Sequence, residues 1–208
     1  MKTFRTLAIN TAMRTTQIAL IEGDKIIKEK AWESANNEAE RLLPEIAKLT
    51  KGFEGIDKII VVKGPGSFTG IRIGVVVANT IAYLKKIKIY TVNTFDFIRA
   101  KYGFPEKLPL VLYAGRSEVY VINDSSSLES KSDPITLKVE DIGEIKEAFG
   151  EILKEQKKYF KKTKLLKSKK TFGQTIIALR KDDMEVCDMA QPLYIKQPGI
   201  CSTLSQRQ

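Results

Sequence analysis

Histidine is absent from all 208 residues. That one gap excludes His-ligated zinc, HExxH peptidases, Ser-His-Asp hydrolases and any histidine general base. Cysteine is nearly as scarce, and Cys187 and Cys201 alone can build neither a disulfide framework nor a four-thiolate zinc site. No metal-ligand set is therefore expected. No apolar run approaches the ~18 residues of a membrane span, and Met1 to Asn10 lacks the apolar centre of a signal peptide, so a cytoplasmic chain that meets no membrane is expected. Carboxylates are in deficit as well: 25 Asp and Glu face 35 Lys and Arg, a formal charge of +10 that favours polyanionic partners. The length suffices for one large domain or two small lobes with a real core.

What is present reads as an α/β pattern. Phe4 to Asn10, Gln17 to Ile21 and Lys25 to Trp32 predict an antiparallel meander turning at Gly23-Asp24. Ala35, Ala39, Leu42, Leu43, Ile46 and Leu49 fall at helical spacing, with Ser34 or Asn36 as the cap. Pro44 predicts a kink there, or a helix that begins near Leu43. Ile56 to Val62 and Lys88 to Val92 read as strands, and Thr94 to Tyr102 as a short helix. A second lobe opens with apolar runs at Leu110 to Ala114 and Glu118 to Asn123. The spacing of Ile142, Ile145, Phe149, Ile152 and Leu153 predicts a helix within Glu140 to Phe160, and Thr171 to Arg180 predicts another before an irregular tail from Met189 to Gly199. The expected division is 1–105 for the first lobe and 106–208 for a smaller, lysine-rich second one.

The most informative stretch is Gly64 to Ala82, GPGSFTGIRIGVVVANTIA, where a glycine-rich turn after a strand runs into a helix of small residues. Ser67 or Thr69 can cap that helix, and its free amides make Gly66, Ser67 and Thr69 a candidate anion or nucleotide loop. Neither common phosphate cradle is matched: Gly70 is followed by Ile71, not by Lys and Ser or Thr, and the glycine spacing is not GxGxxG. Gly70, Gly74, Ala78 and Ala82 recur every four residues on one face. Two readings fit that stripe, close packing inside this chain or a docking face for a partner helix. No paired carboxylates are spaced for acid-base work, and Ser67 has no visible base.

GPGSFTGIRIG at Gly64 to Gly74 resembles the hallmark of the TsaB (YeaZ) family, factors for threonylcarbamoyladenosine (t6A) modification of tRNA. Four further segments agree in order and spacing. Leu7 to Ala12 (LAINTA) is similar to the family's first strand and turn, Glu40 to Pro44 (ERLLP) to its first-helix motif, Ala114 to Tyr120 (AGRSEVY) to the opening of its second lobe, and Pro192 to Lys196 (PLYIK) to its closing pattern. The departures are Asn10, where the family and actin-like ATPases carry an aspartate, Glu38, where many members have histidine, and the lysine-rich second lobe.

The resemblance implies a two-lobed actin-like fold (ASKHA, ribonuclease H-like), α/β with mixed sheets and flanking helices. It implies a non-catalytic partner of the TsaD threonylcarbamoyl transferase, acting with a TsaE-like ATPase on the tRNA adenosine next to the anticodon. It implies no intrinsic cofactor, with ATP entering only at the assembled complex and a homodimer as the competing state of the chain alone. The heterodimer of the family is built from the first two helices of each partner. Its candidates here are Arg41, Leu42, Leu43, Ile46, Gly70, Arg72, Gly74, Val77, Ala78 and Ile81. The alternative is an actin-like ATPase or a glycopeptidase-like enzyme, against which Asn10 and the missing histidines stand.

Lys154 to Lys170 holds nine lysines and one opposing carboxylate, Glu155, so most of the excess charge sits there. Lys157, Lys158, Lys161 and Lys162 are the candidates for tRNA contact, with Tyr159 and Phe160 among them; a solvated face is the plainer reading.

Overall fold

The structure, a computed structural model, describes residues 3–33, 37–105, 107–123 and 133–195. Strands β1 (Arg5–Asn10), β2 (Thr15–Glu22) and β3 (Lys25–Glu33) form the anticipated meander. β4 (Lys58–Val62) pairs parallel to β1 on its other side, and β5 (Ile89–Val92) parallel to β4. Two helices separate these strands in sequence: α1 (Glu38–Thr50) precedes β4, and α2 (Phe68–Lys85) is the crossover from β4 to β5. The central strands are buried on both faces, which is why β1 and β4 read as nearly continuous apolar runs.

α1 continues through Pro44 from its start at Glu38, so it neither begins at Leu43 nor stops at the proline. Of the expected caps, Ser34 and Asn36 lie outside the described residues, and Asn37 occupies the cap position without a side-chain hydrogen bond. α3 (Thr94–Tyr102) matches its predicted span, because Asn93 Oδ1 accepts from Asp96 N (2.8 Å) at one end and Gly103 turns left-handed at the other.

β6 (Leu110–Tyr113), β7 (Glu118–Ile122), β8 (Ile135–Lys138), β9 (Glu147–Glu151) and β10 (Lys164–Leu165) form a second mixed sheet in the order β10-β9-β6-β7-β8. The helix expected within Glu140 to Phe160 is not formed: Phe149 lies in β9, and a 3-10 turn spans Lys154–Phe160. Gly150 is the reason. At φ 128° it lies against β6, where a Cβ would stand 2.0 Å from Val111 O, an approach that only a strand glycine permits. Gly143, at φ 63°, breaks the helical stripe again upstream.

The chain then returns to the first sheet. α4 (Phe172–Ile177), shorter than the predicted 171–180 helix, is closed by a capping box between Thr171 and Gln174 and packs on α3 and β2. β11 (Met184–Cys187), for which the sequence carried no expectation, adds antiparallel to β5, completing the order β11-β5-β4-β1-β2-β3. Strands β1 to β5 thus lie before residue 105 and β6 to β10 after it, while β11, also after it, is part of the first sheet and α4 packs on that sheet. One core runs from Leu7, Ile59 and Ile71 through to Leu110, Leu112 and Phe149, while Val111, Val119 and Phe160 form a smaller cluster on the opposite face of the second sheet.

The small-residue stripe of α2 is filled from within. A Cβ on Gly70 would stand 2.1 Å from Thr11 O, and one on Gly74 2.1 Å from Thr11 Oγ1, so α2 lies directly on the turn after β1. Ala78 and Ile81 are buried beside them, as are Leu42 and Ile46 on α1. Six of the ten interface candidates, Leu42, Ile46, Gly70, Gly74, Ala78 and Ile81, therefore face this chain's own core, and the reading of the stripe as a docking face is corrected to close internal packing.

This geometry sets a stability test. Gly70→Ala forces a methyl group against backbone and is expected to cost about 1–3 kcal/mol, net of its better helix propensity. Gly74→Ala meets only the Thr11 side chain, first of all its hydroxyl, a buried group that makes no hydrogen bond. Adding Thr11→Ala should thus restore the stability lost in Gly74→Ala and leave Gly70→Ala unrepaired, as read by urea denaturation. Equal rescue of both, or of neither, would contradict the packing described.

Candidate functional site

The loop from Lys63 to Ser67 is held from three directions. Lys63 N donates to Val92 O (2.9 Å), Thr94 N donates to Gly64 O (2.8 Å), and Ser67 N donates to Ala12 O (2.8 Å). Ser67 is the cap of α2, its Oγ accepting from Gly70 N at 3.2 Å; Thr69 is exposed in the first turn and does not cap. The turn on which the loop rests is itself set by Asn10, which is fully buried. Its Oδ1 accepts from Ala12 N (3.1 Å) and its Nδ2 donates to Gln17 Oε1 (3.1 Å). An aspartate could not make the second of these bonds, so the amide at this position has a structural use of its own.

Above the loop, at the junction of the two sheets, is a cleft of about 240 Å³ lined by Gly66, Ser67, Tyr113, Ala114, Gly115, Arg116, Tyr120 and Leu153. Two of the three candidate anion-loop residues, Gly66 and Ser67, line it and Thr69 does not. Burial first, and then Glu151, push the Tyr113 phenol above its ordinary range, so at neutral pH it is an uncharged hydroxyl. The lining thus offers hydroxyl groups, the head of a long helix and one arginine. Among the described residues no three His, Cys, Asp or Glu side chains gather to hold a metal.

A strap from the C-terminal segment covers the outer side of the loop. Asn79 on α2 grips Ala190 with both ends of its amide, Ala190 N donating to Oδ1 (2.8 Å) and Nδ2 donating to Ala190 O (3.0 Å). Leu193 N donates to Lys63 O (2.7 Å), and the Tyr194 ring stacks on Phe68 at 4.7 Å. Arg72 completes the stack, its guanidinium 4.0 Å from the Phe68 centroid and its Nε donating to Tyr194 Oη (3.1 Å). The PLYIK segment drew attention to Tyr194, but nothing in its spacing paired it with Phe68.

Among the exposed apolar side chains of the described residues, four lie on the outer side of α1 and α2. Leu43 is 44% exposed, Val76 61%, Tyr83 83% and Leu84 72%, and α1 packs directly against α2. Of the four remaining interface candidates, Leu43 is exposed and Val77 is partly buried at the edge of this face. Arg41 and Arg72 are engaged within the chain, Arg41 over Trp32 at 4.8 Å and Arg72 in the stack on Phe68. Among the described residues no helix is long and apolar enough to cross a membrane. In the second lobe, Lys157, Lys158 and Lys161 are exposed, while Lys162 is paired with Glu144 (3.2 Å).

Residues 32–189 match the family model described as TsaD, tRNA N6-adenosine threonylcarbamoyltransferase, which takes in three quarters of the chain. The chain belongs to this family. Within it the curated relatives carry the TsaB name. The tRNA threonylcarbamoyladenosine biosynthesis protein TsaB of Bacillus subtilis is 34% identical over 119 residues, 55% of this chain and 52% of that protein. The protein of the same name from Buchnera aphidicola subsp. Schizaphis graminum is 26% identical over 117 residues, 54% of this chain and 55% of that protein. The chain thus spans about half the length of these curated relatives. YeaZ from Pseudomonas aeruginosa superposes with a TM-score of 0.68 at 18% identity, over 92% of this chain and all of that one. The fold is accordingly the two-lobed actin-like one, with two mixed sheets and flanking helices.

The strap makes a prediction about the TsaB-type glycine loop. Tyr194→Ala removes the ring from Phe68 and the acceptor from Arg72, and should speed hydrogen exchange at the Gly66, Ser67 and Leu193 amides. Tyr194→Phe keeps the ring and should change exchange much less. Indistinguishable exchange in all three proteins would mean that the strap does not hold the loop.

Proposed function

We propose that this chain is a non-catalytic partner of a TsaD-like threonylcarbamoyl transferase in t6A modification of tRNA. The observation that carries this reading is the unpartnered apolar face on α1 and α2. An 18-residue helix whose only charges are Arg72 and Lys85, and which turns Val76, Tyr83 and Leu84 to solvent, has the composition of an element covered on both sides. The names of the relatives support the pathway, and the family model, described by the transferase itself, is consistent with a related chain as the partner. With no histidine, this chain offers no histidine general base and no histidine metal ligand of its own. In this reading a TsaE-like ATPase and ATP act at the assembled complex, and the cleft at Gly66 and Ser67 faces the assembly without doing chemistry.

The interface is assigned to Leu43, Val76, Tyr83 and Leu84, with Val77 at its edge. Tyr83→Asp with Leu84→Asp alters only exposed side chains and should leave the thermal midpoint unchanged. Binding to a TsaD-like subunit should weaken at least about 100-fold, since two buried anchors commonly contribute ~1.4 kcal/mol or more each. Any dimer of the chain alone should dissociate with the same variant if it uses this face. Unchanged affinity for the subunit in a variant that folds would refute the assignment.

A further inference from the structure

The lysine-rich segment is not a free appendage. Gln156, in the turn Lys154–Phe160, is fully buried, and its Nε2 donates to Gly115 O (2.8 Å), Glu118 O (3.1 Å) and Arg116 O (3.3 Å) while its Oε1 accepts from Leu153 N (3.0 Å). One side chain thus fastens the basic turn to the loop that lines the interlobe cleft, which Leu153 and Arg116 also line. Lys154, Lys157, Lys158 and Lys161 project from that turn into solvent, and Arg116 is exposed beside it. Tyr159, 40% exposed, lies among them with Lys158 Nζ 4.8 Å from its ring centroid.

The structure also sorts the lysines. Lys162 is paired with Glu144 (3.2 Å) and Lys164 with Glu147 (2.7 Å), and Lys170 Nζ donates to Ala100 O (2.7 Å). Lys154, Lys157, Lys158 and Lys161 make no ion pair among the described residues. We propose that the turn from Lys154 to Lys161, together with Arg116, is an RNA-contact surface at the mouth of the interlobe cleft, with the lysines on phosphates and Tyr159 under an unpaired base. This rests on the reading of the chain as a tRNA-modification subunit and specifies where that RNA would lie. Unpaired cations around an exposed aromatic ring suit a nucleic acid strand, whose phosphates and base faces repeat together. A membrane surface would call for an apolar cluster beside the charge, and between Lys154 and Lys161 Tyr159 is the one large apolar side chain that is exposed.

The test is titration of a fluorescent tRNA transcript with the complex of this chain and its TsaD-like subunit, over a series of salt concentrations. Assembly of each variant is checked separately by size exclusion. Lys157→Gln with Lys158→Gln and Lys161→Gln should lower the magnitude of the log-log salt slope by about 2, since each single-stranded phosphate contact contributes about 0.7. Arg116→Gln should lower it by about 0.7 on its own. Tyr159→Ala should weaken binding about fivefold or more with the slope unchanged, as loss of stacking and not of charge. Lys162→Gln with Lys164→Gln removes as much positive charge per residue from positions beyond the turn and beside Glu144 and Glu147, and should lower the slope less per residue than the turn lysines do. An unchanged slope and affinity in the triple variant that still assembles would overturn the surface while the partner reading stands. Equal loss per lysine in the paired and unpaired sets would overturn it too, by reducing the effect to net charge. If the unaltered chain does not join the subunit, the partner reading is what fails. The same titrations on the chain alone then decide the surface, and absence of tRNA binding there counts against it.

Discussion

The contact on which the structure depends is the seating of α2 on the turn after β1. Cβ atoms on Gly66, Gly70 and Gly74 would stand within about 2 Å of Ala12 O, Thr11 O and Thr11 Oγ1, so the turn meets the chain backbone to backbone at Gly66 and Gly70 and through the Thr11 side chain at Gly74. Glycine in a helix costs about 1 kcal/mol relative to alanine, and the compensation is the approach itself, which lets β1, β4 and α2 close into one packed core. Asn10 takes part in the same contact by fixing the turn from below, which gives its amide a reason to be there that is independent of any nucleotide.

With the small residues spent on the inside, the outside of α2 is free to carry something else. It carries Val76, Tyr83 and Leu84, and α1, which packs on α2, exposes Leu43. A rigid, closely seated helix is a good platform for docking, because little order remains to be lost when a partner covers it. The C-terminal strap adds to that rigidity along the Arg72 and Asn79 side, where the Phe68, Tyr194 and Arg72 stack closes the helix start and the glycine loop together. In the second lobe Gln156 has the corresponding part, tying the basic turn to the cleft-lining loop and so to the rest of the molecule.

Much of the first lobe was legible in the residues, since alternation, the Gly23-Asp24 turn and the GPGSFTGIRIG run each act locally. The span of α3 was read correctly as well, and the structure adds the Asn93 and Gly103 caps that set it. The orientation of α2 was not legible, because a stripe of small residues looks the same whether a turn of this chain or another protein fills it; only Thr11, fifty-nine positions before Gly70, decides the matter. The second lobe failed for a related reason. Ile142, Ile145 and Phe149 fall at helical spacing, yet the long-range fit of Gly150 against Val111 makes the segment a strand. β11 escaped notice because an edge strand of four residues with Glu185 and Val186 exposed carries no apolar signal. Of the residues on the outer side of the two helices, Leu43 and partly buried Val77 were singled out in the sequence, but Tyr83 and Leu84 stood out only once the buried face was known.

The central claim is that α2 is seated inward by its glycines and docks outward by its apolar residues. Covalent labelling of tyrosine in the chain alone and in complex with a TsaD-like subunit tests both halves together. The account predicts that Tyr83 labels readily in the free chain and is protected in the complex, while Tyr159, on the second lobe, labels equally in both when no RNA is present. Full labelling of Tyr83 in a complex shown to be assembled would contradict it.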